Sequence, residues 1–242
     1  MKKYMVEVQS TIIEFFEISA ENKEDAEENY YDGKEVSWEQ IESEILNVED
    51  MESNPINEFK KWFDFAQKNV KNEPNAMIVS TLSKDGLINS RTVLLKNITK
   101  KGLIFFTNYE SKKGVDLTNN NIISSVFLWK EIERQIIIRG KADKISKEDS
   151  SKYFNSRPRK SRIAAWASNQ SKDLENETIL SDKFKYYEKK FNNKNIPLPD
   201  FWGGFIIKPF SIEFWQGRSS RMHDRVYYEK INESWVVKKL YP

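Results

Sequence analysis

Apolar positions recur along this chain in more than one rhythm. In "NEFKKWFDFAQKNVKN", Phe59, Trp62, Phe63, Ala66 and Val70 share one helical face, which predicts an amphipathic helix. From residue 76 the period drops to two and β-branched runs begin, so "AMIVSTLS", "SRTVLLKNIT" and "GLIFFTN" predict three strands. The turns between them, "KDG" (84–86) and "TKKG" (99–102), each close on a glycine that tolerates positive φ. "ISSVFLWK" and "RQIIIRGKADKIS" extend the strand series, and a helical section covers 147–195. "GGFIIKPFSIEFWQG", "RVYYEK" and "SWVVKKLY" read as closing strands. Hairpin-linked strands with interspersed helices predict an α+β, mainly β fold built on a closed antiparallel barrel.

The first fifty residues follow a different pattern. "YMVEVQSTIIEFFEISA" predicts one or two strands, "ENKEDAEENYYDGK" a short acidic helix ended by Gly33, and "ILNVE" a return strand. The expected result is a small β-α-β unit. A break at "EDMESNP" then divides the chain into units 1–52 and 54–242.

Charge supports that division. Residues 1–52 carry 16 acids against 4 lysines, whereas the rest carries 35 basic and 21 acidic residues, although the whole chain is only +2. Cysteine is absent, which excludes disulfides and thiolate metal sites, and a single histidine argues against a His-based metal centre or a Ser-His-Asp triad. No apolar run is long enough for a membrane span, and the N-terminus lacks a signal-peptide core, so a cytoplasmic protein is expected.

A basic body suits nucleic acid or small phosphorylated ligands. The cations here are interleaved with apolar strands, which argues against nucleic acid. Arg91 and Lys96 are five apart on an extended segment and so point to opposite faces. "TNYESKKG" puts Thr107, Ser111, Lys112 and Lys113 where a strand hands over to a helix, a phosphate-binding arrangement. Tyr153, Arg157 and Ser161 follow at i+4 spacing and converge on one anion if the helix passes Pro158 without a sharp break. Neither G-x-G-x-x-G nor a P-loop is present, so side chains must hold any phosphate. The only histidine, His223, sits in "SIEFWQGRSSRMHDR" with Arg218, Arg221 and Arg225.

Several stretches together resemble the pyridoxine/pyridoxamine 5′-phosphate oxidase family over residues 54–242. They are "EPNAM", "RTVLLK", "FFTNYESKKG", "ERQ", "YFNSRPRKSRIAAWASNQS", "IPLPDFWGGF", "IEFWQGRSSRMHDR" and the ending "KKLYP", in that order. The first fifty residues resemble a DpnD/PcfM-type small domain through "MKKYMVEV", the acidic helix and the "YDG" turn.

The oxidase resemblance implies a homodimeric FMN-binding split β-barrel with two cofactor sites at the subunit interface. It implies that the segment Arg91, Thr92, Val93, Leu94, Leu95 and Lys96, together with Phe106, Thr107, Lys112, Lys113 and Ser171, contacts FMN, with Arg91 and the two lysines on its phosphate. Gln135, Gln170, Trp215 and Arg225 would line the isoalloxazine. The substrate phosphate would fall to Lys96, Tyr153, Arg157 and Ser161, and its reacting end to Arg221 and His223, alternating on a strand. The implied reaction is oxidation of pyridoxamine or pyridoxine 5′-phosphate by O₂ to pyridoxal 5′-phosphate. The alternative is another split-barrel flavoprotein, such as a flavin reductase-like or FMN-storage relative. The sequence departs from the family at the Arg-x-x-Tyr segment that closes over substrate: the nearest match, "ENYYDG", has Glu28 in place of the arginine. Lys112 also stands where arginine is usual, a point charge in place of a bidentate fork.

Overall fold

In this computed structural model the backbone is described for residues 2–9, 13–20, 34–35 and 46–242, and side chains for 46–242. The chain separates into two compact units, Met1–Ile45 and Leu46–Pro242. In the first, β1 (Lys2–Gln9) and β2 (Ile13–Ala20) pair antiparallel, and β3 (Lys34–Glu35) pairs with β2. Of the predicted helix at 21–34, residues 21–33, which include the Glu28 segment, lie outside the described residues.

Among the described residues 46–49, the predicted return strand (45–49) does not form. Val48–Asp50 forms a single 3-10 turn, and Leu46, Val48 and Met51 pack against the core of the larger unit. Tyr228 Oη donates to the Glu52 carbonyl at 2.8 Å. Residues 46–52 therefore belong to the second unit, and the boundary lies seven residues earlier than the charge step indicates.

Helix α1 (Pro55–Asn69) starts where Asn54 Oδ1 accepts the Ile56 N–H at 2.9 Å and Pro55 opens the first turn. Its apolar face enters the barrel: Trp62 meets the edge of Phe214 at 5.1 Å and Phe59 meets Phe127 at 5.1 Å.

The nine-stranded antiparallel sheet comprises β4 (Ala76–Leu82), β5 (Ile88–Leu94), β6 (Asn97–Thr99), β7 (Gly102–Asn108), β8 (Ile122–Trp129), β9 (Arg134–Lys144), β10 (Trp202–Gln216), β11 (Asp224–Ile231) and β12 (Ser234–Lys239). In the order β12-β11-β10-β9-β8-β4-β5, the part from β10 to β5 curls back on itself, because the chain leaving β5 runs into β6, β6 pairs with β7, and β7 pairs with β10. At the β6–β7 turn Gly102 has φ 151, and a Cβ there would collide with the Ile207 carbonyl.

Strand β10 organises the sheet. It pairs with β9 along nearly its whole length, but its other edge changes partner: Trp202–Ile207 meets β7, and Ser211–Gln216 meets β11. The switch coincides with a register shift between Pro209 and Ser211, the bulge expected where proline removes a ladder donor.

The helical section contains α3 (Lys147–Ser156), α4 (Arg159–Ala167) and α5 (Glu177–Lys190), while α2 (Lys112–Asn119) follows β7. Phe154, Ile163, Phe191, Ile196 and Trp202 form a second, smaller core beneath these helices. Arg157 caps α3 in extended conformation and Pro158 starts α4, so the helix breaks between Tyr153 and Ser161.

Candidate active site

A cleft of about 630 Å³ opens between the β5–β7 edge and helices α3 and α4. It is lined by Thr92, Val93, Leu94, Lys96, Phe106, Thr107, Lys113, Tyr153, Arg157, Ser161 and Gln170. Eleven of the residues chosen from sequence thus meet in one place. The break at Pro158 does not prevent Tyr153, Arg157 and Ser161 from converging, because α4 folds back along the same wall.

Lys113 lies on the first turn of α2 and is almost fully buried. Its ammonium donates to Thr107 Oγ1 at 3.1 Å, Ser111 Oγ at 3.3 Å and Gln170 Oε1 at 3.0 Å, all neutral oxygens. Burial, and then the charge of Arg91, push its pKa down to about 8. Arg91 stands on the opposite parity of β5: its Nη1 donates to Thr81 Oγ1 at 2.7 Å, and its Nη2 lies 3.9 Å from Asp116. Asp116 is itself buried and accepts from Thr81 Oγ1 at 2.7 Å and Asn89 Nδ2 at 3.3 Å. Thr81 and Asp116, which orient Arg91, were missed in the sequence. The only local signal was a carboxylate one turn beyond Lys113 on the buried face of a short helix.

At the other end of the cleft, the Arg157 guanidinium lies 4.7 Å over Trp202 and 5.7 Å from Phe154. Burial lowers its pKa, and its Nη1 is buried without a hydrogen-bond partner. Trp202 also stacks with Phe106 at 5.5 Å, and Phe106 with Tyr153 at 3.9 Å. Trp202 is a second contributor that the sequence reading missed. No carboxylate lines this cleft, and among the described residues none pairs with Lys113 or Arg157. One buried and one half-buried cation, with only neutral partners, fit two anionic groups of one or more ligands.

The remaining residues lie elsewhere. Leu95 is buried in the barrel core, so only its backbone borders the β5–β6 segment. Lys112 is exposed on the outer side of α2, and Ser171, at φ 69, lines a neighbouring surface depression with Lys172. Gln135, Trp215 and Arg225 stand opposite one another across β9, β10 and β11 and so share a sheet face. The Arg225 Nε donates to Glu213 at 2.8 Å and its Nη1 to the Tyr241 carbonyl at 2.9 Å. His223 packs its ring 4.7 Å from Trp215.

Arg221 and His223 do not alternate on a strand. Ser219–Arg221 is a 3-10 turn with Ser220 and Arg221 at φ 55 and 57, and β11 begins only at Asp224. Two consecutive left-handed residues turn the chain too sharply for strand pairing.

These two groups are far apart within one chain. Thr107 pairs opposite Gly203, and Trp215 follows twelve residues later on the same strand, about 40 Å of contour.

A profile described as pyridoxamine 5′-phosphate oxidase matches residues 63–191, and one described as the pyridoxine 5′-phosphate oxidase C-terminal dimerisation region matches 202–242. The chain is 44% identical over 200 residues to a pyridoxine/pyridoxamine 5′-phosphate oxidase of Trichormus variabilis, covering 82% of this chain and 94% of that one. It belongs to the pyridoxine/pyridoxamine 5′-phosphate oxidase family. A relative of the same name from Teredinibacter turnerae is 45% identical over 197 residues, 81% of this chain and 93% of its own.

Among solved structures, PhzG from Burkholderia lata, in complex with tetrahydrophenazine-1-carboxylic acid, is 30% identical. It superposes with a TM-score of 0.77, covering 82% of this chain and 98% of its own. A pyridoxamine 5′-phosphate oxidase-related, FMN binding protein from Nostoc punctiforme matches with a TM-score of 0.64 at 12% identity, covering 78% of this chain and 97% of its own, and it supports the split-barrel fold alone. The family is one of oxidases, so the chain is an enzyme of that type. Neither profile reaches residues 1–45, and the DpnD/PcfM-type resemblance rests on the sequence. No helix among the described residues is long and apolar enough to cross a membrane.

Proposed function

We propose that the protein oxidises pyridoxamine 5′-phosphate and pyridoxine 5′-phosphate to pyridoxal 5′-phosphate as an FMN-dependent homodimer. The observation that carries this reading is the pair of carboxylate-free cationic ends in one cleft, one at Lys113 and one at Arg157. They correspond to one phosphate on the cofactor and another on the substrate. Bound FMN would supply the two-electron redox chemistry, with O₂ as oxidant, H₂O₂ as product and ammonia released from the amine.

The chain's own residues bind and orient. Lys113, Thr107 and Arg91 would hold the cofactor phosphate, and Lys96, Tyr153, Arg157 and Ser161 that of the substrate. Arg221 and His223 would meet the reacting end of the pyridine, with Gln135, Trp215 and Arg225 along the flavin. Fixing both phosphates leaves the reacting carbon little freedom, which is the main contribution a protein makes to such a reaction.

The separation along β10 is the reason for two copies: the cleft of one protomer is completed by the Gln135–Trp215–Arg225 row of its partner. The PhzG structure holds a carboxylate ligand, and a second reading would give this chain an unphosphorylated ring as substrate. The convergence of Tyr153, Arg157 and Ser161 on one cleft, with the Arg157 cation among them, supports a phosphate.

The test is a visible spectrum followed by turnover under air. A yellow protein should form an aldehyde and H₂O₂ from pyridoxamine 5′-phosphate, and should act far more slowly on pyridoxamine. A colourless protein, or equal rates on both amines, would refute the assignment.

A further inference from the structure

The turn between β10 and β11 carries Arg221 and His223, yet it is neither helix nor strand and holds two non-glycine residues in left-handed conformation. Something must hold it in one shape. Its two ends, Arg218 and Asp224, are joined: Asp224 Oδ2 accepts Arg218 Nε at 2.8 Å and Nη2 at 2.7 Å. Neither side chain is fully exposed (21% and 15%), so solvent screens this pair less than a surface one. The same oxygen takes the backbone N–H of Leu46 at 3.3 Å, from the first residue of the larger unit.

Arg218 then acts a second time. Its backbone N–H lies 3.1 Å from His223 Nδ1. A backbone N–H only donates, so Nδ1 must be the acceptor, and the neutral ring carries its proton on Nε2. The Trp215 ring, 4.7 Å away, limits rotation of the imidazole.

We propose that Asp224 is a positioning residue: by stapling the base of the 218–224 turn it fixes the orientation and tautomer of His223, and presents Nε2–H as the outward donor. This rests on the reading that His223 meets the substrate. It adds that a carboxylate outside the ligand cleft, shared with the Leu46 linker, sets which imidazole edge the substrate meets.

The chain has one histidine, so the imidazole resonances of uniformly ¹⁵N-labelled full-length protein belong to His223 without assignment. In the neutral imidazole of the wild-type protein, Nδ1 should be unprotonated and Nε2 protonated. The opposite tautomer, or a mixture, would overturn the proposal before any variant is made. In Asp224→Asn the two tautomers should mix and kcat should fall, by up to about 10²-fold for a displacement near 1 Å. Asp224→Glu should restore part of both.

Tyr228→Phe, which removes the Glu52 carbonyl contact without touching Asp224, serves as the control for general loosening. It should lower stability and leave the His223 signals unchanged. An unaltered tautomer in Asp224→Asn, or an equal change in Tyr228→Phe, would refute the positioning role. Failure of the functional reading would show separately, as absent flavin or absent turnover in wild-type protein whose imidazole spectrum is as expected.

Discussion

Replacing Lys113 by methionine should stabilise the flavin-free protein and weaken its hold on FMN. The wild-type ammonium is buried against three neutral oxygens, and its pKa falls from 10.5 to about 8. A drop of that size means that folding penalises the charged form by about 3 kcal/mol. Methionine removes the penalty and keeps most of the stem, but forfeits three hydrogen bonds. All three oxygens keep another partner: Ser111 Oγ donates to the Asn108 carbonyl at 2.6 Å, and Thr107 Oγ1 donates to Gln170 Oε1 at 3.2 Å. The net gain should be about 1–3 kcal/mol at pH 7.

The sign of the pH dependence follows. A lysine whose folded pKa is depressed carries its full penalty below about 8, and the penalty is relieved as pH rises from there toward the unfolded value. The stability difference between variant and wild type should therefore shrink between pH 8 and 10.5, while groups common to both cancel. Urea denaturation of both flavin-free proteins at several pH values measures it. FMN affinity should fall by about 1.5–3 kcal/mol, the scale of one charge-assisted contact. If Lys113→Met is less stable than wild type, or the difference does not change with pH, the ammonium is already satisfied without a ligand and the anion-site argument fails.

Arg157→Met should raise the KM for pyridoxamine 5′-phosphate by about 10- to 150-fold, with flavin content unchanged; equal losses of substrate and FMN would show that the two anion sites are exchanged. Deleting residues 1–45 should leave a folded, flavin-binding body. Deleting 1–52 should cost roughly 3 kcal/mol more in denaturant titration, through the lost packing of Leu46, Val48 and Met51. Gly203→Ala should destabilise by about 1–3 kcal/mol in the same assay, because its Cβ would collide with Tyr109 Oη and lie 2.9 Å from Ser150 Oγ.

The strands were legible because a half-buried strand must alternate, and helix α1 because its apolar face must enter the barrel. Of the cleft residues, Lys96, Thr107, Lys113, Tyr153, Arg157 and Ser161 were legible as polar groups near strand ends and helix starts, whereas Thr92, Val93, Leu94, Phe106 and Gln170 were implied only by the family resemblance. What escaped were features fixed by long-range pairs. The tie between Arg218 and Asp224, six residues apart across a turn, is invisible to periodicity, and the alternating residues around His223 imitated a strand. The unit boundary was misplaced because residues 46–52 are acidic like the segment before them, while three apolar side chains among them pack on the larger core. Leu95 looked like its neighbours in "RTVLLK", but its side chain points inward to the barrel.

Pairing separates the cations of this enzyme into two kinds. Lys113 and Arg157 face neutral oxygens or an aromatic ring and have no carboxylate among the described residues. A phosphate dianion brings its own countercharge, so neither needs a protein carboxylate as partner. Arg218 and Arg225 are each paired, to Asp224 at 2.7 Å and Glu213 at 2.8 Å. Paired with carboxylates, these arginines act as oriented donors and supports. Of these four side chains, the two without a carboxylate border the cleft where phosphates are proposed to bind, and the two with one tie the 218–224 turn and the β10–β11 face.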